Sequence, residues 1–458
     1  MLNRRAKRGG FRAMDSGMAP TGVGQRIDTL DALRGIAICG ILLMNIPLMG
    51  AVGFTSGLTY PAGWNADWIA WIIQSLFFEG TMRGLFTLLF GAGFLLMLRR
   101  AEGDDPQVTP FDVWGRRSLA LMFFGVIQAF VFMWPGEILW NYGITGLGLL
   151  AFRLARPRTL MIWAAAALFG LSAIQGLQSM QRAETMRASI AAQAAKDAGR
   201  KLTPAQQQAI EAVQAARAEI HPTQDAIDKK RAQRTQLPGL LSWCWEIWSQ
   251  FNLSTEGWLG MLESFAFMLI GMALFRAGIV TGDARTATYW RLAIIGYAAG
   301  FALRIVGLLY QARAGFDLDV TKIIPLMSAY RGFIYEPARL AITLGHVGLI
   351  VGLYKAGLFG RAWPVRAMGR TALTVYSLQS ILTSILFYAF GLVGRLGFFE
   401  LMLTAAAIWV TTGLFAMWWL SIAEMGPAEY ALRWLSYGAR RVGKAPFRAT
   451  APLPAATA

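Results

Sequence analysis

Asp31 and Arg34 stand three residues apart in Leu30-Asp31-Ala32-Leu33-Arg34-Gly35, just before an apolar run long enough to enter a bilayer. At that spacing on a helix they share a face. Charged side chains at the mouth of a membrane helix are costly and mark functional positions by default. Two readings stay open. One is an ion pair at the helix start. The other is a cytoplasmic site for an anionic cofactor, which the planar Arg fork suits. Asn45 lies near the far end of the same run, and Pro47 after it can bend the helix. A buried amide needs partners, so Asn45 either orients a reacting carbonyl or ties two helices together. Glu79 and Arg83 are four apart and expected on one face, ahead of Gly84, Gly91 and Gly93. Those glycines allow close helix approach or leave room for a ligand.

Further polar groups fall inside apolar runs. Gln128 is one; Glu137 follows in Trp134-Pro135-Gly136-Glu137-Ile138-Leu139-Trp140-Asn141-Tyr142-Gly143, expected as a tight outer turn. Desolvation beside Trp rings can tune a carboxylate into a general base, but a solvated turn residue fits equally. Glu263 and Arg304 are expected to pair across helices, and Glu336 and Arg339 open another run. His346 is the single histidine at membrane depth, either a packing residue or a base. Arg370 begins a run whose Thr374, Ser377 and Gln379 form a polar stripe. No Walker loop, zinc-ligand spacing or Gly-x-Ser-x-Gly elbow is present, so no metal is expected.

These residues need a membrane scaffold. The chain of 458 residues is 55% hydrophobic and 15% charged, against roughly 25% charged in soluble domains. Its 17 Trp and 28 Phe fit aromatic belts. The net charge of +17 could point to nucleic acid, but the basic residues gather in short loops between apolar runs. Cys39 and Cys244 suggest neither a metal site nor a disulfide framework. A span needs about 20 apolar residues. About ten spans are expected, at 35–55, 79–98, 117–134, 138–153, 159–177, 257–276, 291–312, 336–355, 371–391 and 399–421, with an interfacial helix at 64–78. The fold class is therefore all-α, a polytopic integral membrane helical bundle with a helical extramembrane insert.

The domain reading is a disordered cytoplasmic leader at 1–26, an N-terminal transmembrane half at 27–177, a helical periplasmic insert at 178–236, a C-terminal transmembrane half at 237–421 and a cytoplasmic tail at 422–458. Within the insert, Gly199 stops one helix, Thr203-Pro204 starts a second, His221-Pro222 closes it and Thr223 caps a third. Trp243, Trp245 and Trp248 then mark a segment lying along the outer surface. Arg and Lys asymmetry places both termini in the cytoplasm of a bacterial inner-membrane protein.

The motifs resemble a family. Leu30-Asp31-Ala32-Leu33-Arg34-Gly35 through Leu43-Met44-Asn45-Ile46 resembles the opening of the bacterial YeiB-like inner-membrane proteins, catalogued as domain of unknown function 418. Leu85 to Gly93, Gly136-Glu137-Ile138-Leu139 with Tyr142-Gly143, Gly369-Arg370-Thr371-Ala372-Leu373-Thr374 with Tyr376, and Gly426-Pro427-Ala428-Glu429-Tyr430 with Arg433 resemble its later signatures. That family is similar to the transmembrane acyltransferases. The resemblance implies transfer of an acyl group from cytoplasmic acyl-CoA or acetyl-CoA to a sugar or lipid acceptor across the membrane. It implies Asp31, Arg34, Arg83 and Arg370 at the donor site and Asn45 near the transfer. Many relatives have His where this chain has Gln128, which cannot act as a base near neutral pH, so Glu137 or His346 takes that role. A transporter or lipid-handling protein without covalent chemistry is the alternative. A membrane assembly partner is a third reading, with a homo-oligomer or a periplasmic partner bound through 178–236.

Overall fold

The computed structural model describes residues 27–52, 58, 64–101, 109–220, 222–313, 330–358 and 363–438; the leader at 1–26, His221 and the tail beyond 438 lie outside them. Helix α1 (Asp28–Gly50) carries Asp28 and Asp31 in its first turn, where they complement the helix dipole. Its start defines the proximal end of the bundle and its close the distal end. Helix α2 (Ala66–Ile73) is capped by Asn65 and runs into a π-helical turn, Gln74–Phe78. The chain breaks at Glu79–Gly80, where Gly80 takes φ +70°, before α3 (Thr81–Ala101). Glu79 and Arg83 therefore fall on opposite sides of a break and do not share a helix face, contrary to the sequence expectation.

The remaining helices are α4 (Pro110–Phe130), α5 (Leu139–Gly148) with a 3-10 turn at Leu149–Phe152, α6 (Pro157–Asp197), α7 (Pro204–Ile220), α8 (Gln224–Thr235) and α9 (Leu237–Leu253). They continue with α10 (Thr255–Arg276), α11 (Thr286–Arg313), a π-helical turn at Tyr330–Ile334, α12 (Tyr335–Lys355) and α13 (Trp363–Arg370). Last come α14 (Ala372–Ser384) with a π-helical extension at Ile385–Ala389, α15 (Phe398–Ile422) and α16 (Pro427–Tyr437).

Among the described residues, eight helices are long and apolar enough to cross a membrane: α1, α2–α3, α6, α10, α11, α12, α14 with its extension, and α15. Ile294 and Ile295 on α11 and Val410 and Leu414 on α15 point outward, as a lipid-facing surface requires. The segments at 117–134 and 138–153, expected as spans, fall short of that measure. Helix α4 opens with Asp112, Arg116 and Arg117, and α5 has only 10 residues before its 3-10 turn. At 1.5 Å per residue, α5 covers about 15 Å of a hydrocarbon layer about 30 Å thick.

The α4–α5 hairpin is instead closed over at its tip. Trp134 and Glu137 are buried there, not exposed at an outer turn. Helix α9 covers them: Trp248 meets Phe130 and Trp140 at centroid distances of 5.8 and 5.1 Å. Its buried positions Leu240, Trp243, Cys244, Trp248 and Asn252 follow helical spacing and so form one packing face. The helix expected to lie on the surface is thus half inside the bundle.

Helix α6 is 41 residues long, about 62 Å by its rise, so it runs well past the bilayer thickness into the insert. Its end at Gly199 bonds back to Lys196, with Arg200 bonding to Ala195. Thr203 and Gln206 cap α7 reciprocally, and Thr223 caps α8. Helix α8 is fastened to the distal end. Arg231 donates to the carbonyls of Val393 and Gly394 at 3.0 and 3.2 Å. Arg234 donates to the Ala51 carbonyl at 2.8 Å and lies over the Trp243 ring at 4.2 Å.

Two helix crossings are closed by reciprocal glycines. Where α3 meets α10, a Cβ at Gly91 would fall 2.0 Å from the Met268 carbonyl oxygen, and one at Gly271 would fall 1.8 Å from that of Leu88. Where α1 meets α13, a Cβ at Gly35 would lie 2.0 Å from the Val365 carbonyl oxygen, and one at Gly369 would lie 1.8 Å from that of Asp31. Backbone touches backbone at both places, so neither neighbour can move aside. Gly93, by contrast, leaves space: a Cβ there meets only the Arg34 guanidinium, at 3.5 Å. Gly369→Ala should therefore force α1 and α13 apart at a cost of about 1–3 kcal/mol, the usual range for overpacking. Thermal melting in detergent should show a clear drop for Gly369→Ala and little change for Gly93→Ala. Equal melting of the two variants would show that the α1–α13 crossing is not tight.

Candidate functional site

The α1–α13 crossing places Arg34 and Arg370 at the rim of a cavity of about 300 Å³ in the proximal half of the bundle. Arg117 from α4 and Arg433 from α16 complete the basic rim, with Asp31 and Glu429 as the acidic groups among its lining residues. Arg34 Nη1 lies 3.4 Å from Asp31 Oδ1, so the expected pair forms. Arg370 donates to the Glu424 carbonyl at 3.4 Å, and its guanidinium lies 5.5 Å from the Trp363 ring centre. The walls are apolar, built from Leu89, Phe90, Phe94, Met97 and Trp114 among others. Tyr142 and Tyr376 line the inner end together with Ile138 and Leu139 of the hairpin.

Glu429 fixes this geometry. Its carboxylate accepts from the Leu373 and Thr374 backbone N–H groups at 2.6 and 3.2 Å and from the Thr374 hydroxyl at 2.6 Å. Helix α16 thereby supplies the cap that the α14 N-terminus does not find in its own flanking residue, Thr371. Burial pushes the Glu429 carboxyl above the usual carboxylate range, and these donors offset part of that rise. Arg433 sits one helical turn beyond Glu429 and so faces the same cavity.

Of the expected donor-site residues, Asp31, Arg34 and Arg370 meet in the cavity and Arg83 does not. Arg83 belongs to a charged cluster at the distal side. It pairs with Glu263, whose other oxygen pairs with Arg339 Nη2 at 2.5 Å; Arg339 also faces Glu336 at 3.4 Å. Arg304 does not pair with Glu263, as the sequence reading expected. It donates to the carbonyls of Ser75, Leu76 and Glu79, and Arg339 Nε donates to that of Gly80 at 2.8 Å. The break between α2 and α3 frees the Ser75, Leu76 and Glu79 carbonyls from helical bonding, and in hydrocarbon they need other donors. The Gly80 carbonyl also accepts from the Gly84 N–H at 2.9 Å.

None of the four expected catalytic residues is in the cavity lining. Asn45 is half-buried on α1. Gln128 Nε2 donates to Ser380 Oγ at 2.5 Å. Glu137 accepts from the backbone N–H groups of Leu139 and Trp140 at 2.5 and 3.0 Å and from Trp248 Nε1 at 3.2 Å, so it caps α5 from just behind the cavity wall. His346 Nε2 faces the Phe77 carbonyl at 2.9 Å, which only accepts, so that nitrogen carries the proton. Its Nδ1 then accepts from the Tyr297 hydroxyl at 2.7 Å. This histidine braces the π-helical turn before α3.

Tyr142, Tyr376, Glu429 and Arg433 stand in the sequence only as letters of the family motifs, and Arg117 carries no site role there. All five belong to the site. The four-residue spacing of Glu429 and Arg433 was a usable signal for a shared face; nothing in the spacing of Tyr142 and Tyr376 brings them together.

Comparison with known proteins agrees with the motif pattern. Residues 274–439 match the family described as "Protein of unknown function (DUF418)". The uncharacterized protein YxaH of Bacillus subtilis is 27% identical over 442 residues, covering 92% of this chain and 97% of that protein. The uncharacterized protein YeiB of Escherichia coli is 27% identical over 427 residues, covering 90% and 96%. No solved structure matches the chain. The signatures at Leu30–Gly35 and Gly369–Thr374 thus pack against each other around one cavity, and this multi-pass membrane protein is similar over most of its length to YxaH and YeiB, with the DUF418 match at residues 274–439.

Proposed function

We propose that the chain is a transmembrane acyltransferase that takes its acyl group from acyl-CoA or acetyl-CoA at the proximal face. The observation that carries this reading is the cavity: a rim with four arginines leading into an apolar interior. That combination suits a ligand with phosphates at one end and an uncharged arm at the other. Arg34, Arg117, Arg370 and Arg433 would hold phosphate oxygens, while the pantetheine arm and its thioester lie along the apolar wall. In the transfer, the acceptor hydroxyl oxygen forms a bond to the thioester carbonyl carbon and the carbon–sulfur bond breaks. The hydroxyl proton ends on the departing thiolate, giving an ester and free CoA. The acceptor is a sugar or a membrane lipid reaching the site from the distal side.

This reading sets the protein in a bacterial inner membrane with the proximal face and both termini cytoplasmic and the 178–236 insert periplasmic. The asymmetry of Arg and Lys supports it, as does an even number of crossings between α1 and α15. A single cysteine at exposed Gln207, in a background lacking Cys39 and Cys244, should react with an impermeant maleimide in intact cells. Labelling only after permeabilisation would invert the orientation.

If acyl-CoA binds through the rim, Arg34→Ala should weaken binding by about 10-fold or more, since charged hydrogen bonds contribute about 1.5–3 kcal/mol. Arg34→Lys, which keeps the charge and loses the fork, should weaken it less. Calorimetric titration of the purified protein with acetyl-CoA measures both. Wild-type affinity in Arg34→Ala would remove the rim from the donor site.

Glu137 is the base in this reading. Its backbone neighbours Ile138 and Leu139 line the inner end; burial pushes its carboxyl up to about 7, and its three donors offset part of that rise. General bases contribute about 10²–10⁴-fold. Glu137→Gln should lose at least 10²-fold in turnover per folded molecule while melting falls only by the amount of a lost cap, about 1 kcal/mol. Transfer at the wild-type rate would move the assignment to His346.

The buried Glu263, Arg83, Arg339 and Glu336 cluster favours a second reading, a transporter or lipid-handling protein without covalent chemistry. Mass spectrometry of ligands retained on purification separates the two: a CoA thioester supports the first, an intact lipid or solute the second. A homo-oligomer, or a periplasmic partner bound through 178–236, is compatible with either.

A further inference from the structure

Two tyrosines close the inner end of the cavity, and their hydrogen bonds leave them with opposite capacities. Thr87 Oγ1 donates its single proton to the Arg83 carbonyl at 2.7 Å. The 2.5 Å bond between Thr87 Oγ1 and Tyr142 Oη must therefore be donated by Tyr142. Tyr142 has spent its proton and keeps its lone pairs. Tyr376 is the reverse. Trp134 Nε1, which can only donate, gives its proton to Tyr376 Oη at 3.1 Å. Tyr376 is buried, and among the described residues its hydroxyl proton has no acceptor. Both side chains line the cavity.

We propose that Tyr376 is a catalytic residue that donates its hydroxyl hydrogen bond to the carbonyl oxygen of a thioester held in the cavity, with Tyr142 as the acceptor beside it. This deepens the acyltransferase reading and rests on it. As the new carbon–oxygen bond forms, negative charge gathers on the carbonyl oxygen, and it is given back when the carbon–sulfur bond breaks. Tyr376 keeps its proton throughout, so the balance of the transfer is unchanged. Trp134 holds the phenol oxygen in place and makes its hydrogen more positive. A donor fixed in advance, in a site with apolar walls, stabilises developing charge more than water does, because no reorganisation is needed. Tyr142, with open lone pairs, orients the attacking hydroxyl until Glu137 takes its proton. One donor and one acceptor at the same end of a cavity match a carbonyl approached by a hydrogen-bearing nucleophile.

The test uses acetyl-CoA labelled with ¹³C at the thioester carbonyl, bound to the full-length protein in nanodiscs and read by difference infrared spectroscopy. In the wild type the carbonyl band should shift to lower wavenumber on binding. Tyr376→Phe should bind with a Kd changed by less than about 10-fold, the scale of one hydrogen bond, and should lose the shift. Transfer should fall by about 10²-fold or more in that variant. Trp134→Phe removes the group that steadies Tyr376 but leaves its hydroxyl, so the shift should persist there. Bound acetyl-CoA with an unshifted band in the wild type, or a full shift in Tyr376→Phe, would overturn the tyrosine assignment and leave the acyltransferase reading standing. Loss of binding to the same extent in both variants would make Tyr376 a packing residue and also overturn it. Failure of the wild type to bind acetyl-CoA would remove the acyl-CoA reading, and this assignment with it.

Discussion

The backbone contact between α1 and α13 is the constraint on which the site depends. Gly35 and Gly369 each lie against a carbonyl of the opposite helix, and any side chain at either would push the helices apart. Arg34 and Arg370 are their immediate neighbours in sequence, so this one crossing brings two guanidiniums to the same rim. Without it, two like charges have no reason to approach. Glu429 then locks the junction between α13 and α14 by capping the α14 N-terminus from α16. Three sequence-distant motifs are thus joined by two kinds of contact, backbone packing and a cap.

The opposite side of the bundle is governed by a different rule. The chain between α2 and α3 leaves helical geometry at Glu79–Gly80, and the carbonyls of Ser75, Leu76 and Glu79 are left to other donors. In hydrocarbon such groups must be satisfied from elsewhere. Arg304, Arg339 and His346, from α11 and α12, reach across to do so. These residues carry charge or basicity at membrane depth, but their hydrogen bonds show that much of their capacity goes to holding a broken helix. Buried ion pairs of this sort fix conformation more reliably than they add stability.

Helix α9 and the insert form a third layer. The α4–α5 hairpin is short, and its tip carries Glu137 and a turn of polar backbone. Trp248 from α9 both covers the tip and donates to Glu137, so one side chain excludes lipid and satisfies a carboxylate. Arg234 of α8, over the Trp243 ring, bonds to the last carbonyls of α1, where cations complement the helix dipole. The insert is thereby connected to the helix whose other end carries Asp31 and Arg34.

The sequence by itself determined the class, a polytopic helical membrane bundle, because apolar length and aromatic content leave no other solvent for these helices. It determined the boundaries within the insert through Gly199, Thr203-Pro204 and Thr223, which act on the nearest turn and need no tertiary partner. It also placed Asp31 with Arg34, since a three-residue spacing is a property of one helix. Only the tertiary structure decided what happens between helices. It set Arg83 against Glu263 and gave Arg304 to backbone carbonyls, choices that depend on where a helix breaks and not on residue type. It drew Arg117, Arg433, Tyr142 and Tyr376 to one cavity from four helices. Spacing along a chain carries information over one or two turns; the direction of a hydroxyl proton depends on which donors from other helices reach its oxygen.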